Sequence, residues 1–339
     1  MGQDDDRLSG ERVSALVLYR GDGLDNAGVW TRMLPDERKR RALAAAVNRD
    51  TDDLLSLAES WLLLHGRREG QTRPLTIVAY RQAIGALLTA WSATPLLTAT
   101  GDDAALWLRR IKGRAGGPAK PSTLIRYRAA GRVLYSALRW SGAGKVDPFA
   151  DARVASDPTP VDERRHPYQP EVVERLIACA TTPEDRVLVL LGAHAGLRVR
   201  ECLDLTWADI ILDSGQLTVA AGKGGKRRTV ALSTSLAEAL GEQKRTGERV
   251  VGIGGERGCY VLPYRTPISA RRRLQLLCTR AGVGYLGMHS LRHSAGTRLY
   301  AETGDLDTTA RHLGHTSIET SRIYAHWSDK TLKKTMAAW

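Results

Sequence analysis

The fold class is decided by residues 51–64, which read TDDLLSLAESWLLL. Leucine, alanine and tryptophan recur there at spacings of three and four residues, the period of one face of an α-helix. The aspartates at the start suit the positive end of a helix dipole. We therefore predict that a compact helical unit opens at Thr51 and runs to about residue 150.

Two later segments of this unit begin alike, with Pro74-Leu-Thr and Pro121-Ser-Thr. A proline followed by a hydroxyl residue ahead of an apolar run is typical of a helix N-terminus. The unit is also rich in arginine, and we expect those side chains to be exposed. Residues 51–150 are thus predicted to form a helical core domain with a basic surface.

The rest of the chain divides by composition. Residues 1–50 form an N-terminal extension to which the sequence assigns no function. Residues 151–170 contain four prolines among charged residues, a composition that neither packs nor stays helical, and we place the interdomain linker there. In residues 171–339, helical patterns surround a β-hairpin signal, because segments 216–221 and 228–232 flank a Gly-Lys turn. We predict a mainly α protein with a small antiparallel β-sheet (α+β).

Charge limits the class of partner. The 339 residues include 50 Lys and Arg against 37 Asp and Glu, a formal net charge of +13. This balance favours a polyanion as the partner, with nucleic acid ahead of an anionic membrane surface.

The sequence also bears on location. Its apolar stretches fall well short of the roughly 20 residues that span a bilayer. The four cysteines are widely spaced, so we expect reduced thiols and a cytoplasmic location.

Several common site motifs are not matched. Gly222–Lys226 lacks the first glycine and the final hydroxyl of a phosphate-binding P-loop, and Gly252–Gly258 has Arg257 in place of the third glycine of a dinucleotide site. His289 and His293 have a metal-capable spacing, but Ser290 stands where a zinc protease needs its glutamate. We expect no metal and no cofactor.

The remaining residues suited to chemistry are cations, histidines and one tyrosine. In chain order they are Gly196-Leu-Arg198-Val-Arg-Glu201, Lys223, His289-Ser-Leu-Arg292-His293, Leu313-Gly-His315 and Tyr324. Their order and spacing resemble the tyrosine recombinase family, which includes phage integrases and Xer-type recombinases, over roughly residues 170–335. The resemblance implies an N-terminal helical DNA-binding domain and a C-terminal catalytic domain that close around duplex DNA.

The chemistry of these residue types agrees with the resemblance. Planar guanidinium groups can hold both non-bridging oxygens of a phosphodiester, so we predict that Arg198 and Arg292 form a phosphate clamp. Tyr324 is the predicted nucleophile, since a phenol activated by nearby cations can form an ester with phosphate. Lys223, with Lys226 as the second choice, is the predicted general acid for the departing 5′ oxygen.

The two histidines complete the predicted site. His289 is expected to act as general base or phosphate ligand, and His315 to hydrogen-bond a phosphate oxygen.

Each residue also has a structural alternative. Arg198 is three residues from Glu201 and could simply pair with it on the surface, and Tyr324 could be an ordinary core or interface tyrosine. The Gly-Lys turn could contact the DNA backbone while Arg227 and Arg228 add affinity. Either histidine could be structural.

Two departures from the family pattern stand out. Ala295 occupies a position where many members carry a large apolar residue, and residues 1–50 match no arm-binding domain. The 15 residues after Tyr324 correspond to a tail that docks on the neighbouring protomer in the family.

The resemblance implies a site-specific recombinase that cleaves and rejoins duplex DNA. The reaction proceeds through a 3′-phosphotyrosyl intermediate, one strand pair at a time, through a Holliday junction. The partners implied are double-stranded DNA at the nucleoid and a homo-tetramer on paired sites, alone or with a partner recombinase, and no membrane. Two alternatives remain: DNA relaxation of the type IB topoisomerase kind, and a catalytically idle DNA-binding protein of the same fold.

Overall fold

A computed structural model describes residues 23–66, 72, 74–113, 116–159, 166–219, 227–246, 259–264, 266–315 and 324. The chain divides into two compact units between Pro158 and Thr159. This boundary falls inside the segment 151–170.

The first unit is built from helices. They are α1 (Gly23–Arg32), α2 (Pro35–Asn48), α3 (Thr51–His65), α4 (Pro74–Ala90), α5 (Gly101–Arg110) and α6 (Pro121–Trp140), with a short 3₁₀ turn at Leu96–Thr98. The helix predicted to open at Thr51 is confirmed, and the Asp50 side chain caps it by accepting a hydrogen bond from the backbone N–H of Asp53. Helices also begin at Pro74 and Pro121, as predicted.

Helix α3 lies at the centre of this unit and packs against α1, α2, α4 and α6. Leu54 and Leu57 are fully buried on it. Helix α1 lies within residues 1–50 and joins the same core through Trp30, which is fully buried and donates a hydrogen bond from Nε1 to Ser56 at 3.0 Å. An aromatic cluster belongs to the same core, in which Trp91 stacks on Phe149 with ring centroids 5.9 Å apart.

The second unit combines helices with one small sheet. Its helices are α7 (Pro170–Ala178), α8 (Pro183–Ala193), α9 (Val199–Asp204), α10 (Thr234–Thr246), α11 (Pro267–Arg280), α12 (Met288–Thr303) and α13 (Leu306–Leu313), with a 3₁₀ turn at Trp207–Asp209. The strands are β1 (Ile210–Ile211), β2 (Gln216–Val219) and β3 (Arg228–Ala231), which pair antiparallel in the order β1-β2-β3. The predicted fold class is confirmed.

Helix α8 forms the centre of this core. Its residues Val187–Leu191 are fully buried, and α7, α10, α11 and α12 pack around it. Strands β2 and β3 add Leu217, Val219 and Val230 from one face of the sheet. The predicted hairpin is confirmed in its strands, whereas its turn lies outside the described residues.

One helix boundary differs from the prediction. The apolar pattern after Arg186 predicts a helix that continues into Arg198 and Glu201, but α8 ends at Ala193 and α9 begins at Val199. Gly196 lies between them with φ +65°. This left-handed conformation breaks the helix and is available to glycine at little cost.

Candidate active site

Three arginines from different elements surround the carboxylate of Glu201 in α9. Glu201 accepts hydrogen bonds from Nη1 of Arg198 at 2.7 Å and from the Arg198 backbone N–H at 2.9 Å. Nη1 and Nη2 of Arg228 bind the same carboxylate at 3.1 and 2.8 Å, and Nη1 of Arg292 lies 3.9 Å from it. The predicted clamp residues Arg198 and Arg292 therefore lie around one shared carboxylate.

The arginines keep Glu201 charged. Burial opposes the charge, because the side chain is only 6% exposed. Hydrogen bonds from Arg228 and Arg198 outweigh burial and lower the pKa of Glu201 to about 2. The carboxylate thus remains a fixed negative charge at neutral pH.

Arg292 is held in a buried position on α12. It is 1% exposed, and its guanidinium donates to the backbone carbonyl of Gly196 and, at 2.6 Å, to that of Leu313. Burial, together with the positive charge of Arg198, lowers the pKa of Arg292 to about 10. The group is still protonated at neutral pH, and the two carbonyls fix its orientation.

Two glycines make these contacts possible. A Cβ atom on Gly196 would lie 2.3 Å from Cδ2 of Leu313. Gly314 has φ +68°, and a Cβ there would lie 2.6 Å from Cδ of Arg228. The glycines of the Gly-Leu-Arg and Leu-Gly-His motifs are therefore required by close packing as well as by backbone conformation.

Tyr324 lies beside the histidines and is 1% exposed. Its Oη is 3.5 Å from Nδ1 of His293, and its ring is nearly parallel to that of His315, with centroids 6.1 Å apart. The ring rests on Gly296 of α12, where a Cβ atom would lie 2.4 Å from Cζ of the tyrosine. Only glycine leaves room for the phenol at this position.

His289 and His315 complete the cluster. The His289 ring packs edge-on against that of His293, 4.7 Å between centroids. Burial, reinforced by the charges of Arg292 and Arg198, lowers the pKa of His315 to about 4. His315 is therefore a neutral imidazole at physiological pH, which can hydrogen-bond a phosphate oxygen through its N–H.

Tyr168 holds the start of α12. Its hydroxyl oxygen accepts hydrogen bonds from the backbone N–H groups of Leu286 and Gly287 at 2.8 and 3.2 Å, and its carbonyl accepts one from Ser294 at 2.8 Å. These contacts fix the helix that carries His289 and Arg292.

The structure brings together five of the six predicted site residues: Arg198, His289, Arg292, His315 and Tyr324. Lys223 and its alternative Lys226 lie outside the described residues, as does the tail after Tyr324. The pair between Arg198 and Glu201, which the sequence offered as an alternative to the clamp, exists, but it belongs to the cluster rather than to an isolated surface contact.

Sequence reasoning missed Glu201 and Arg228 as members of the site. The spacing of three residues from Arg198 pointed to Glu201 as a partner, whereas no local pattern could show which elements Arg228 contacts.

The described part of the chain contains no cluster of three or more histidine, cysteine or acidic side chains placed to hold a metal ion. Among its helices, none combines the length and the apolar character that crossing a membrane requires.

Comparison with known proteins agrees with this geometry. Residues 168–331 match the Phage integrase family. Tyrosine recombinase XerC of Xanthomonas campestris pv. campestris (strain B100) is 31% identical over 299 residues, which cover 85% of this chain and 89% of the relative. The structure of the XerH site-specific recombinase bound to palindromic difH substrate has a TM-score of 0.63 at 21% identity and covers 94% of both chains. A lambda integrase tetramer bound to a Holliday junction has a TM-score of 0.61 at 20% identity, with 81% of each chain covered.

Proposed function

This chain belongs to the phage integrase family of tyrosine recombinases, and we propose that it cleaves and rejoins specific duplex DNA through a 3′-phosphotyrosyl intermediate. The family predicted from the motifs is confirmed, and so is the enzyme class, a tyrosine-type site-specific recombinase. The observation that supports this reaction most directly is that Arg198 and Arg292 lie around Glu201 while Tyr324 lies against His293 and His315, close enough for its charge to act on Arg292.

The arginines are suited to neutralise the phosphate. Nucleophilic attack concentrates negative charge on two non-bridging oxygens, and guanidinium donors aimed at them stabilise the transition state. Arg292 is pre-oriented by two carbonyls, and Arg198 is held by Glu201 while its side chain remains 41% exposed. We propose that the guanidinium N–H groups of Arg198 and Arg292 that do not bind protein acceptors bind the phosphate oxygens.

The chemical step needs one nucleophile and two proton transfers. The Tyr324 oxygen forms a bond to phosphorus while the bond from phosphorus to the 5′ oxygen breaks. The phenol proton passes to a base, a role we assign to His289, and the departing oxygen takes its proton from Lys223. His315 donates its neutral N–H to a non-bridging oxygen. Rejoining reverses these steps, with a 5′ hydroxyl attacking the phosphotyrosine.

We assign double-stranded DNA as the substrate and a homo-tetramer on paired sites as the working assembly, alone or with a partner recombinase. The net charge of +13 suits the polyanion, and a lambda integrase of the same fold is a tetramer on a Holliday junction. Strand exchange one pair at a time follows from such an assembly. We assign the nucleoid, in the cytoplasm, as its location, because such a substrate lies there.

Covalent trapping on DNA tests this function. The probe is a pool of nicked duplexes with randomised sequence on both sides of the nick, in which the short fragment released by cleavage diffuses away. We expect a DNA adduct that survives denaturing electrophoresis and is enriched in one sequence. Tyr324→Phe should bind the enriched duplex with unchanged affinity and form no adduct.

Two results would contradict the proposal. An adduct formed by Tyr324→Phe would exclude this tyrosine as the nucleophile. Trapping without sequence enrichment, together with relaxation of any supercoiled plasmid, would instead favour the topoisomerase alternative.

A further inference from the structure

Two adjacent arginines, Arg227 just before strand β3 and Arg228 at its start, have opposite surroundings. Arg227 is exposed, whereas the Arg228 side chain is only 14% exposed. Nη1 and Nη2 of Arg228 bind the Glu201 carboxylate, and its Nε donates to the backbone carbonyl of His312 at 3.2 Å. The guanidinium therefore uses all three of its nitrogens on protein acceptors.

We propose that Arg228 is a positioning residue of the recombination site, which fixes Glu201 and the end of α13 and makes no contact with DNA. This inference rests on the function proposed above. It replaces the sequence interpretation that Arg228 adds affinity for the DNA backbone.

Arg228 connects elements of the second unit that are distant in sequence. Arg228 lies on β3 and contacts both α9, which follows Arg198, and the end of α13, which leads to His315. The Arg228 guanidinium therefore contacts both elements that lie next to Arg198 and His315, two residues predicted to act on the phosphate. Planar, bidentate binding of a carboxylate fixes both partners more strictly than a single point contact does.

The Arg228 side chain also packs against the end of α13. Arg228 holds the carbonyl of His312, and Arg292 holds that of Leu313, the next residue. The Arg228 side chain passes so close to Gly314 that a Cβ there would lie 2.6 Å from its Cδ and 2.9 Å from its Nε. Gly314, the residue before His315, therefore leaves the space that the Arg228 side chain occupies.

Arg228 also acts electrostatically on Glu201 and His315. The hydrogen bonds of Arg228 help to hold the pKa of Glu201 near 2, and its charge helps to depress the pKa of His315. Without Arg228 the carboxylate would lose two of its hydrogen-bond donors. Glu201 would then be free to shift, and the clamp arginine bound to it would shift as well.

The expected consequence is a slower chemical step at unchanged DNA affinity. A displacement of about 1 Å in a catalytic group costs on the order of 100-fold in rate. We therefore expect Arg228→Ala to lower the rate of covalent trapping at saturating protein by roughly 10- to 100-fold. Arg228→Lys keeps the charge but not the bidentate geometry, and should not restore the rate.

The matched control is Arg227→Ala, which removes the same charge from the exposed neighbour. Parental protein and the variants Arg228→Ala, Arg228→Lys and Arg227→Ala are compared on the enriched nicked duplex from the trapping pool. For each, the dissociation constant is measured as a function of salt, and the trapping rate at saturation. Arg227→Ala should trap at the parental rate.

A methylphosphonate at the scissile position separates positioning from a general effect on folding. It replaces one non-bridging oxygen by a methyl group and removes the negative charge that the clamp neutralises. If Arg228 acts through the clamp, the ratio of parental to Arg228→Ala trapping rates should fall towards one on this duplex. A purely structural defect would leave that ratio unchanged and would contradict the proposal.

A phosphate contact by Arg228 would also contradict it. In that case Arg228→Ala would trap at the parental rate when saturated, bind more weakly, and show a salt dependence reduced by about one phosphate contact. Failure of the parental protein to form any adduct would instead count against the proposed function itself.

Discussion

His315 shows how individual charges set the chemistry of this site. An imidazole ordinarily titrates near pH 6.5, but burial and the guanidinium groups of Arg292 and Arg198 disfavour its charged form and lower its pKa to about 4. The ring is therefore neutral across the physiological range, and a neutral imidazole can donate one hydrogen bond. A protonated His315 would add a further charge to an already basic cluster.

We predict that the His315 ring titrates near pH 4 in the DNA-free protein. NMR of selectively labelled histidines measures this, with the signal assigned by its loss in His315→Asn. Arg198→Ala removes a positive charge and should raise the His315 pKa. Because the folded state disfavours the charged ring, the stabilisation from neutral His315 is complete above pH 6.5 and is lost as pH falls towards 4. Titration of the parental ring between pH 6 and 7 would contradict this prediction.

The identity of most predicted site residues could be read from the sequence, but the contacts that hold them together could not. The motifs identified Arg198, Arg292, His315 and Tyr324 because their chemistry and order are visible in the chain. The inward direction of Arg228 depends on the pairing of β3 with β2 and on a carbonyl 84 residues away. No local pattern records such a contact.

At the scale of elements, helix α12 determines where most of the site lies. It carries His289, Arg292 and His293 within about one turn, and its N-terminus begins at Gly287 without a side-chain cap. Tyr168, from the segment before α7, accepts hydrogen bonds from the backbone N–H groups of Leu286 and Gly287, the two residues that precede the helix. A residue 120 positions earlier thus fixes the start of the helix.

We predict that Tyr168→Phe loosens the start of α12. The substitution removes the acceptor of the N–H groups of Leu286 and Gly287, and because Leu286 is 47% exposed we expect the loss to cost only about the net contribution of a hydrogen bond, about 0.5–1.5 kcal/mol. Hydrogen exchange should accelerate at these two amides, and the free energy of unfolding should fall by a similar amount. Tyr285→Phe is the control, since this tyrosine is 40% exposed and should change stability by less than about 0.5 kcal/mol. Equal exchange in parental protein and Tyr168→Phe would show that the tyrosine does not anchor the helix.

Element boundaries were predictable where local chemistry decides them. Pro74, Pro121 and the aspartates after Asp50 mark helix starts, and the strands of the hairpin follow their alternating pattern. The break between α8 and α9 was not predicted, because the surrounding residues are apolar and helix-compatible. Only the tight packing of Gly196 against Leu313 and the contact of its carbonyl with Arg292 explain the turn there.

At the scale of the whole molecule, the described residues form two large hydrophobic cores, one in each unit, and a small third cluster of Ala295, Leu313 and Tyr324. The first gathers residues from Trp30 to Ala152, and the second gathers residues from Tyr168 to Leu291. Each unit has the size of an ordinary single domain, so each is expected to unfold cooperatively by itself.

We predict that core substitutions will affect the two units selectively. Leu54 and Leu188 are fully buried, one in each core, and replacing a buried leucine by alanine costs about 2–5 kcal/mol. In units of this size that corresponds to a shift of roughly 4–20 °C in the melting temperature. Scanning calorimetry should show Leu54→Ala lowering one transition and Leu188→Ala lowering the other. If either substitution lowered every transition by the same amount, the chain would be one cooperative unit, and the division at Pro158 would have no energetic meaning.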